Sequence, residues 1–145
     1  DKLTYLVKKY DISPGLLQLE LTESAYMDNP DFVNSMICEL RKRGFRIMMD
    51  DFGSGFSSLN TLKDIQVDYL KLDMKFLFSH SNDFKSKRIL SSVVSMAKWL
   101  RLKVIAEGVE TEEQFDFLKR IQCDYIQGYY FSKPIPVSEF EERYM

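Results

Sequence analysis

Histidine, tryptophan and cysteine are scarce in this 145-residue sequence, at one, one and two copies, and their scarcity narrows the range of functions. Cys38 and Cys123 lie far apart and form no CxxC pair, which argues against a disulfide scaffold or a zinc ribbon and fits a reducing compartment. The lone histidine, His80, stands in the polar stretch "FSHSNDF" and reads as a surface residue, so zinc ligation has little to build on. A basic excess is missing too. The 20 Lys and Arg against 22 Asp and Glu leave a net charge of −2, which argues against a nucleic-acid polymer as partner. The one dense basic patch, "RKRGFR", reads as the end of a helix. No apolar run approaches the ~18 residues of a membrane span, and the opening "DKLTYLVKKY" has neither the apolar core nor the cleavage site of a signal peptide. A cytoplasmic chain without membrane contact is expected. Lacking an initial methionine, it is expected to be a piece of a longer protein.

What is present is alternation. With 45% hydrophobic residues, the chain has the size of one compact domain. "LLQLELT" follows a Pro-Gly turn and reads as a strand. Asp28 or Asn29 then caps a helix that has Pro30 in its first turn, Phe32, Met36 and Leu40 on one face, and Gly44 as its stop. "FRIMMD" is a second strand, "SSLNTLKDI" a short helical connection and "VDYLKLD" a third strand. "DFKSKRILSSVVSMAKWL" spaces Ile89, Val93, Met96 and Leu100 as a helix face, and "LKVIAEG" follows as a fourth strand. Thr111 caps "TEEQFDFLKRI", with acids in its first turn, and leads to "CDYIQG" as a fifth strand. "VSEFEERYM" forms a terminal helix. Short strands alternating with helices predict an α/β fold with parallel pairing.

Parallel strands are covered by helices, so polar residues within them are costly except at their ends. Here Glu20 and Glu23 lie at or just past the first strand end, Asp50 and Asp51 at the second, Lys71 and Asp73 at the third, Glu107 at the fourth and Gln127 at the fifth. In parallel α/β folds these carboxyl ends share one edge, where active sites form. A single acid at a strand end is usually a cap or a solvated loop residue. Five ends in step carry more weight. Asp50 and Asp51 repel each other near an apolar sheet unless a cation or a basic side chain compensates, and oxygen donors without histidine or thiolate suit Mg²⁺ or Mn²⁺. Lys71 reads either as an ion-pair partner for Asp50 or Asp73 or as a group that holds or deprotonates a nucleophilic water, since a lysine's pKa falls near cations and away from solvent. Gly53 and Gly55 in "DDFGSGFSS" permit unusual backbone angles and mark a candidate lid.

Two architectures accommodate this pattern. A receiver-type doubly wound sheet places its aspartate pair after the first strand and its lysine after the last, which is not the order here. The other is part of a (β/α) barrel, which closes with eight strands. The motifs "LELTES", "DDFGSGFSSL", "VDYLKLD", "VIAEGVET" and "QGYYFSKP", in this order along essentially the whole chain, resemble the EAL-domain cyclic di-GMP phosphodiesterases. The resemblance implies metal ligation by Glu20, Asp50 and Asp51, action of Lys71 on the attacking water, and a place for Glu107 in the metal and water shell. It implies that Glu110 steadies the glycine-rich loop and that Gln127 contacts the active-site network. The implied reaction is hydrolysis of cyclic di-GMP to linear pGpG with Mg²⁺ or Mn²⁺, which stabilise the developing charge.

The family's naming Glu-Ala-Leu motif and an asparagine ligand precede the region that begins here, and neither is in the chain. Residues 1–145 thus correspond to the C-terminal three fifths of the domain: about five βα units of a TIM-like barrel, incomplete at the N-terminus, with sensory or GGDEF modules expected in the parent. Ser54 stands where threonine is commoner. The alternative is a degenerate EAL domain that binds cyclic di-GMP or a protein partner without hydrolysis. An open barrel would also uncover the inward faces of "LLQLELT" and "FRIMMD", so self-association is expected.

Overall fold

A computed structural model describes residues 2–53, 59–74 and 84–145; the expectations for Ser54, Gly55 and His80 fall outside them. Five strands form one parallel sheet: β1 (Gln18–Thr22), β2 (Arg46–Asp50), β3 (Tyr69–Asp73), β4 (Lys103–Glu107) and β5 (Tyr125–Ile126). Their spatial order is their sequence order. A doubly wound sheet reverses order at a switch point, whereas a barrel wall adds each strand beside the last, so this topology favours the barrel. Among the described residues the helices are α1 (Lys2–Lys9), which the sequence did not predict, α2 (Glu23–Asp28), α3 (Pro30–Lys42), α4 (Leu59–Asp64), α5 (Phe84–Trp99), α6 (Glu112–Arg120) and α7 (Val137–Tyr144).

The helix ends follow their local chemistry. Asn29 caps α3 by accepting from the Phe32 amide at 3.2 Å, with Pro30 in the first turn. Thr111 and Gln114 close a reciprocal capping box on α6, satisfying amides that a helix start otherwise leaves orphaned. Gly44 ends α3 at a φ of +92°.

The helix faces differ from the sequence expectation in the same way twice. In α3 the buried residues are Val33 and Ile37, while Phe32 is 62% exposed. In α5 they are Leu90, Val94 and Ala97, while Ile89 is 56% exposed. Each helix carries two adjacent apolar rows, and the sheet takes the row one residue further on. Strand alternation divides the sheet into two faces. Ile47, Met49, Leu70, Leu72, Val104 and Ala106 point toward the helices and join Val33, Ile37, Leu90, Val94 and Leu118 in one core.

The opposite face carries Glu20, Met48, Asp50, Lys71, Ile105 and Glu107. This corrects the expectation of bared apolar strands: Leu19 and Leu21 of β1, with Leu17 just before it, pack on the helix-side core, and Met48 and Met49 are both buried. The open face is largely polar.

Two aspartates pin the strand starts. Asp68 accepts from the Ile47 amide at 3.0 Å and pairs with Arg41 and Arg46. Asp124 accepts from the Val104 amide at 3.1 Å and from Lys103 Nζ at 2.6 Å. Each opens an Asp-Tyr pair, and the Tyr69 and Tyr125 rings lie 6.0 Å apart. Burial is the largest influence on the Asp124 carboxyl and pushes its pKa up, but the bonds from Lys103 and Val104 prevail and hold it below the ordinary range. The thiols of Cys38 and Cys123 are free.

Candidate functional site

The parallel register lines up the strand ends: Thr22 lies beside Asp50, and Asp73 beside Glu107. Lys71, two residues before the end of β3, reaches sideways into this rim. Its Nζ lies 2.8 Å from Glu20 Oε1, 3.0 Å from Asp50 Oδ1 and 2.7 Å from Glu107 Oε1. One buried ammonium thus gathers carboxylates from three other strands. Burial, the largest single influence, pulls the Lys71 pKa down, but hydrogen bonds to Glu20 and Asp50 and their charges outweigh it, leaving the group above its ordinary value. Lys71 is a cation and a hydrogen-bond donor at neutral pH.

The loop after β2 is shaped by its backbone. Asp50 Oδ1 accepts from the Asp51 amide at 3.0 Å. Asp51 takes a left-handed φ of +56°, which aspartate tolerates better than most residues, and its side chain is exposed rather than gathered on Lys71. Buried Phe52 ties the loop to β3 through its amide, 3.3 Å from the Lys71 carbonyl. Gly53 has a φ of +96° with open space where a Cβ would stand, so glycine serves backbone rotation here rather than close packing.

Glu107, Glu110 and Gln127 share a second loop system. The Glu110 amide donates to Gln114 Oε1 at 2.8 Å, while the Glu110 side chain is exposed. The Gln127 backbone donates to the Ala106 carbonyl at 2.8 Å and accepts from the Val109 amide at 3.1 Å. Its exposed carboxamide has no hydrogen bond among the described residues. Lys71, Glu20, Asp50 and Glu107 are therefore brought together, whereas Asp51, Glu110 and Gln127 flank them. Sequence reading left Glu23 without a role, yet it is a second buried charged residue at this rim; its signal was an acid one residue past a strand.

The donor set suits a divalent cation by charge and chemistry. Three carboxylates surround one ammonium, Asp51 adds a fourth nearby, and all are hard oxygen ligands. Glu107 Oε1 is buried and lies 2.7 Å from the Lys71 ammonium, its charge balanced by that ion pair. Among the described residues no three acidic, histidine or cysteine side chains already converge as a metal cage, because Lys71 holds the carboxylates instead.

The chain is similar to known proteins over nearly its whole length. The family model described as EAL domain matches residues 1–134. The chain is 37% identical over 142 residues to the cyclic di-GMP phosphodiesterase NbdA of Pseudomonas aeruginosa, covering 98% of this chain and 18% of that protein. Among solved structures, the PaMucR phosphodiesterase in complex with c-di-GMP superposes with a TM-score of 0.88 at 36% identity, covering 97% of this chain and 57% of that one. The BlrP1 complex of Klebsiella pneumoniae with manganese and cy-diGMP gives a TM-score of 0.84 at 30% identity, covering 92% of this chain and 34% of that one. The chain thus spans about a fifth of the length of the curated relative and just over half of the PaMucR structure. With the EAL domain model matched over residues 1–134 and a solved relative of 36% identity superposing on 97% of it, the chain belongs to the EAL domain family.

Proposed function

We propose that this chain carries most of the catalytic rim of a cyclic di-GMP phosphodiesterase, which opens one phosphodiester bond of cyclic di-GMP to give linear pGpG. The observation that supports this best is the convergence of Glu20, Asp50 and Glu107 on the buried Lys71 Nζ at 2.7–3.0 Å. The 145 residues act as the C-terminal three fifths of the barrel domain, the rest being supplied by the parent.

Glu20, Asp50 and Asp51 would hold Mg²⁺ or Mn²⁺, which would supply water activation and neutralisation of phosphoryl charge. The side chains divide the remaining work. Lys71, kept protonated by its carboxylates, donates hydrogen bonds that orient the attacking water and balances charge at the phosphate. Glu107, ion-paired with Lys71, is placed to accept the proton that water releases. Gly53, at its left-handed backbone angle, turns the chain out of β2, Glu110 steadies the glycine-rich loop, and Gln127 offers its exposed carboxamide to the substrate.

In the full-length protein, Lys71→Met is expected to lower turnover by about 100-fold or more while the dissociation constant for cyclic di-GMP changes little. Calorimetry beside a hydrolysis assay reads both. Loss of binding together with turnover would make Lys71 a substrate or structural contact and defeat the assigned role.

A further inference from the structure

The loop that carries Glu107 is held by backbone contacts. The segment from Glu107 to Thr111 turns through Gly108 at a φ of +73° and lies against the segment after β5. Three backbone hydrogen bonds join the two: Gln127 amide to Ala106 carbonyl at 2.8 Å, Val109 amide to Gln127 carbonyl at 3.1 Å and Tyr130 amide to Val109 carbonyl at 2.9 Å. Gly128 sits in the middle of this lacing. A Cβ there would overlap the Val109 amide nitrogen and carbonyl oxygen, with the Val109 carbonyl carbon only 2.7 Å away. The obstacle is backbone on both sides, so no rotamer change relieves it. Val109 is fully buried, which stops the loop from stepping aside. From behind, Phe115 of α6 stacks on Tyr130 at 5.3 Å between ring centroids and meets Phe131 edge-on at 5.7 Å.

We propose that Gly128 is a positioning residue. Its missing side chain lets the two loops touch backbone to backbone, and that seam sets where Glu107, two residues before Val109, meets Lys71. Any residue with a Cβ pushes Val109 outward and draws the Glu107 carboxylate off the ammonium. The catalytic consequence rests on the phosphodiesterase reading; the seam itself does not.

The test uses the full-length protein with Gly128→Ala, Phe115→Leu and, as a control at the opposite end of the sheet, Gly15→Ala, whose added Cβ meets nothing nearer than 3.7 Å. Gly128→Ala is expected to lower kcat by about 100-fold, the scale of a 1 Å misplacement, with KM nearly unchanged. In a Glu107→Gln background the same change should cost little more, a non-additivity that a merely structural defect would not show. Amide exchange at Val109 should quicken about tenfold or more in Gly128→Ala. Should Gly128→Ala not fold, Phe115→Leu carries the test, with a loss of a few-fold in kcat and faster Val109 exchange. Unchanged kcat and exchange in a folded Gly128→Ala, or in Phe115→Leu if that variant stands in, would overturn the seam, as would losses fully additive with Glu107→Gln. If the unmodified protein hydrolyses no cyclic di-GMP, the functional reading fails by itself, and the exchange result still decides for or against the seam.

Discussion

Lys71 is the residue on which most of the site's electrostatics rests. Removing it leaves the carboxylates of Glu20, Asp50 and Glu107 facing one another without their shared cation, so Lys71→Met should raise the divalent-ion dependence of stability as well as lower turnover. Thermal melts with and without Mn²⁺ would show a larger metal-induced gain for the variant than for the unmodified chain. Asp124 gives a pH-dependent counterpart. Its carboxyl is held below the ordinary range, so its contribution is present above the unfolded-state pKa and is lost as pH falls through the lower, folded one. Asp124→Asn should lower stability by about 1 kcal/mol at neutral pH, the net worth of a typical hydrogen bond. Its melting temperature should also fall less steeply than that of the unmodified chain below about pH 4. Parallel curves would show that Asp124 does not titrate with folding.

At the scale of elements, the helix starts were legible because caps are local. Thr111 and Asn29 act within three residues of themselves. The buried helix rows were not, because α3 and α5 each offer two apolar stripes and only the sheet decides between them. The distinction is measurable. Leu90→Ala should cost about 2–5 kcal/mol, whereas exposed Ile89→Ala should stay within about 0.5 kcal/mol; denaturant melts with equal costs would contradict the assigned face. The acids of the site were visible as strand ends falling in step. The pairing of Lys71 with Asp50 was among the expectations and is found, but that Lys71 would also gather Glu20 and Glu107, that Asp68 and Asp124 would pin neighbouring strands, and that Gly128 would lie on Val109 were not legible, since each depends on contacts between segments distant in sequence.

Across the whole molecule, five strands in sequential order make a wall with a polar inner face, and β1 and β5 have no outer neighbour among the described residues. The inner face is largely polar, so any self-association should run through the strand edges. Beside β5, a cavity of about 630 Å³ is lined by apolar side chains including Tyr129, Phe131, Phe140 and Tyr144. Light scattering of the 145-residue chain should show mass rising with concentration, and a monomer throughout would contradict edge pairing. On the function proposed above, an open wall would enclose a divalent ion less fully, so the 145-residue chain by itself is expected to turn over cyclic di-GMP at least about 100-fold more slowly than the full-length protein. The most direct measurement is product analysis after the full-length protein is incubated with cyclic di-GMP and Mn²⁺, alongside Lys71→Met. The account predicts linear pGpG from the unmodified protein and almost none from the variant; binding of cyclic di-GMP with no pGpG from the unmodified protein would contradict it and leave a domain that reads the dinucleotide without cleaving it.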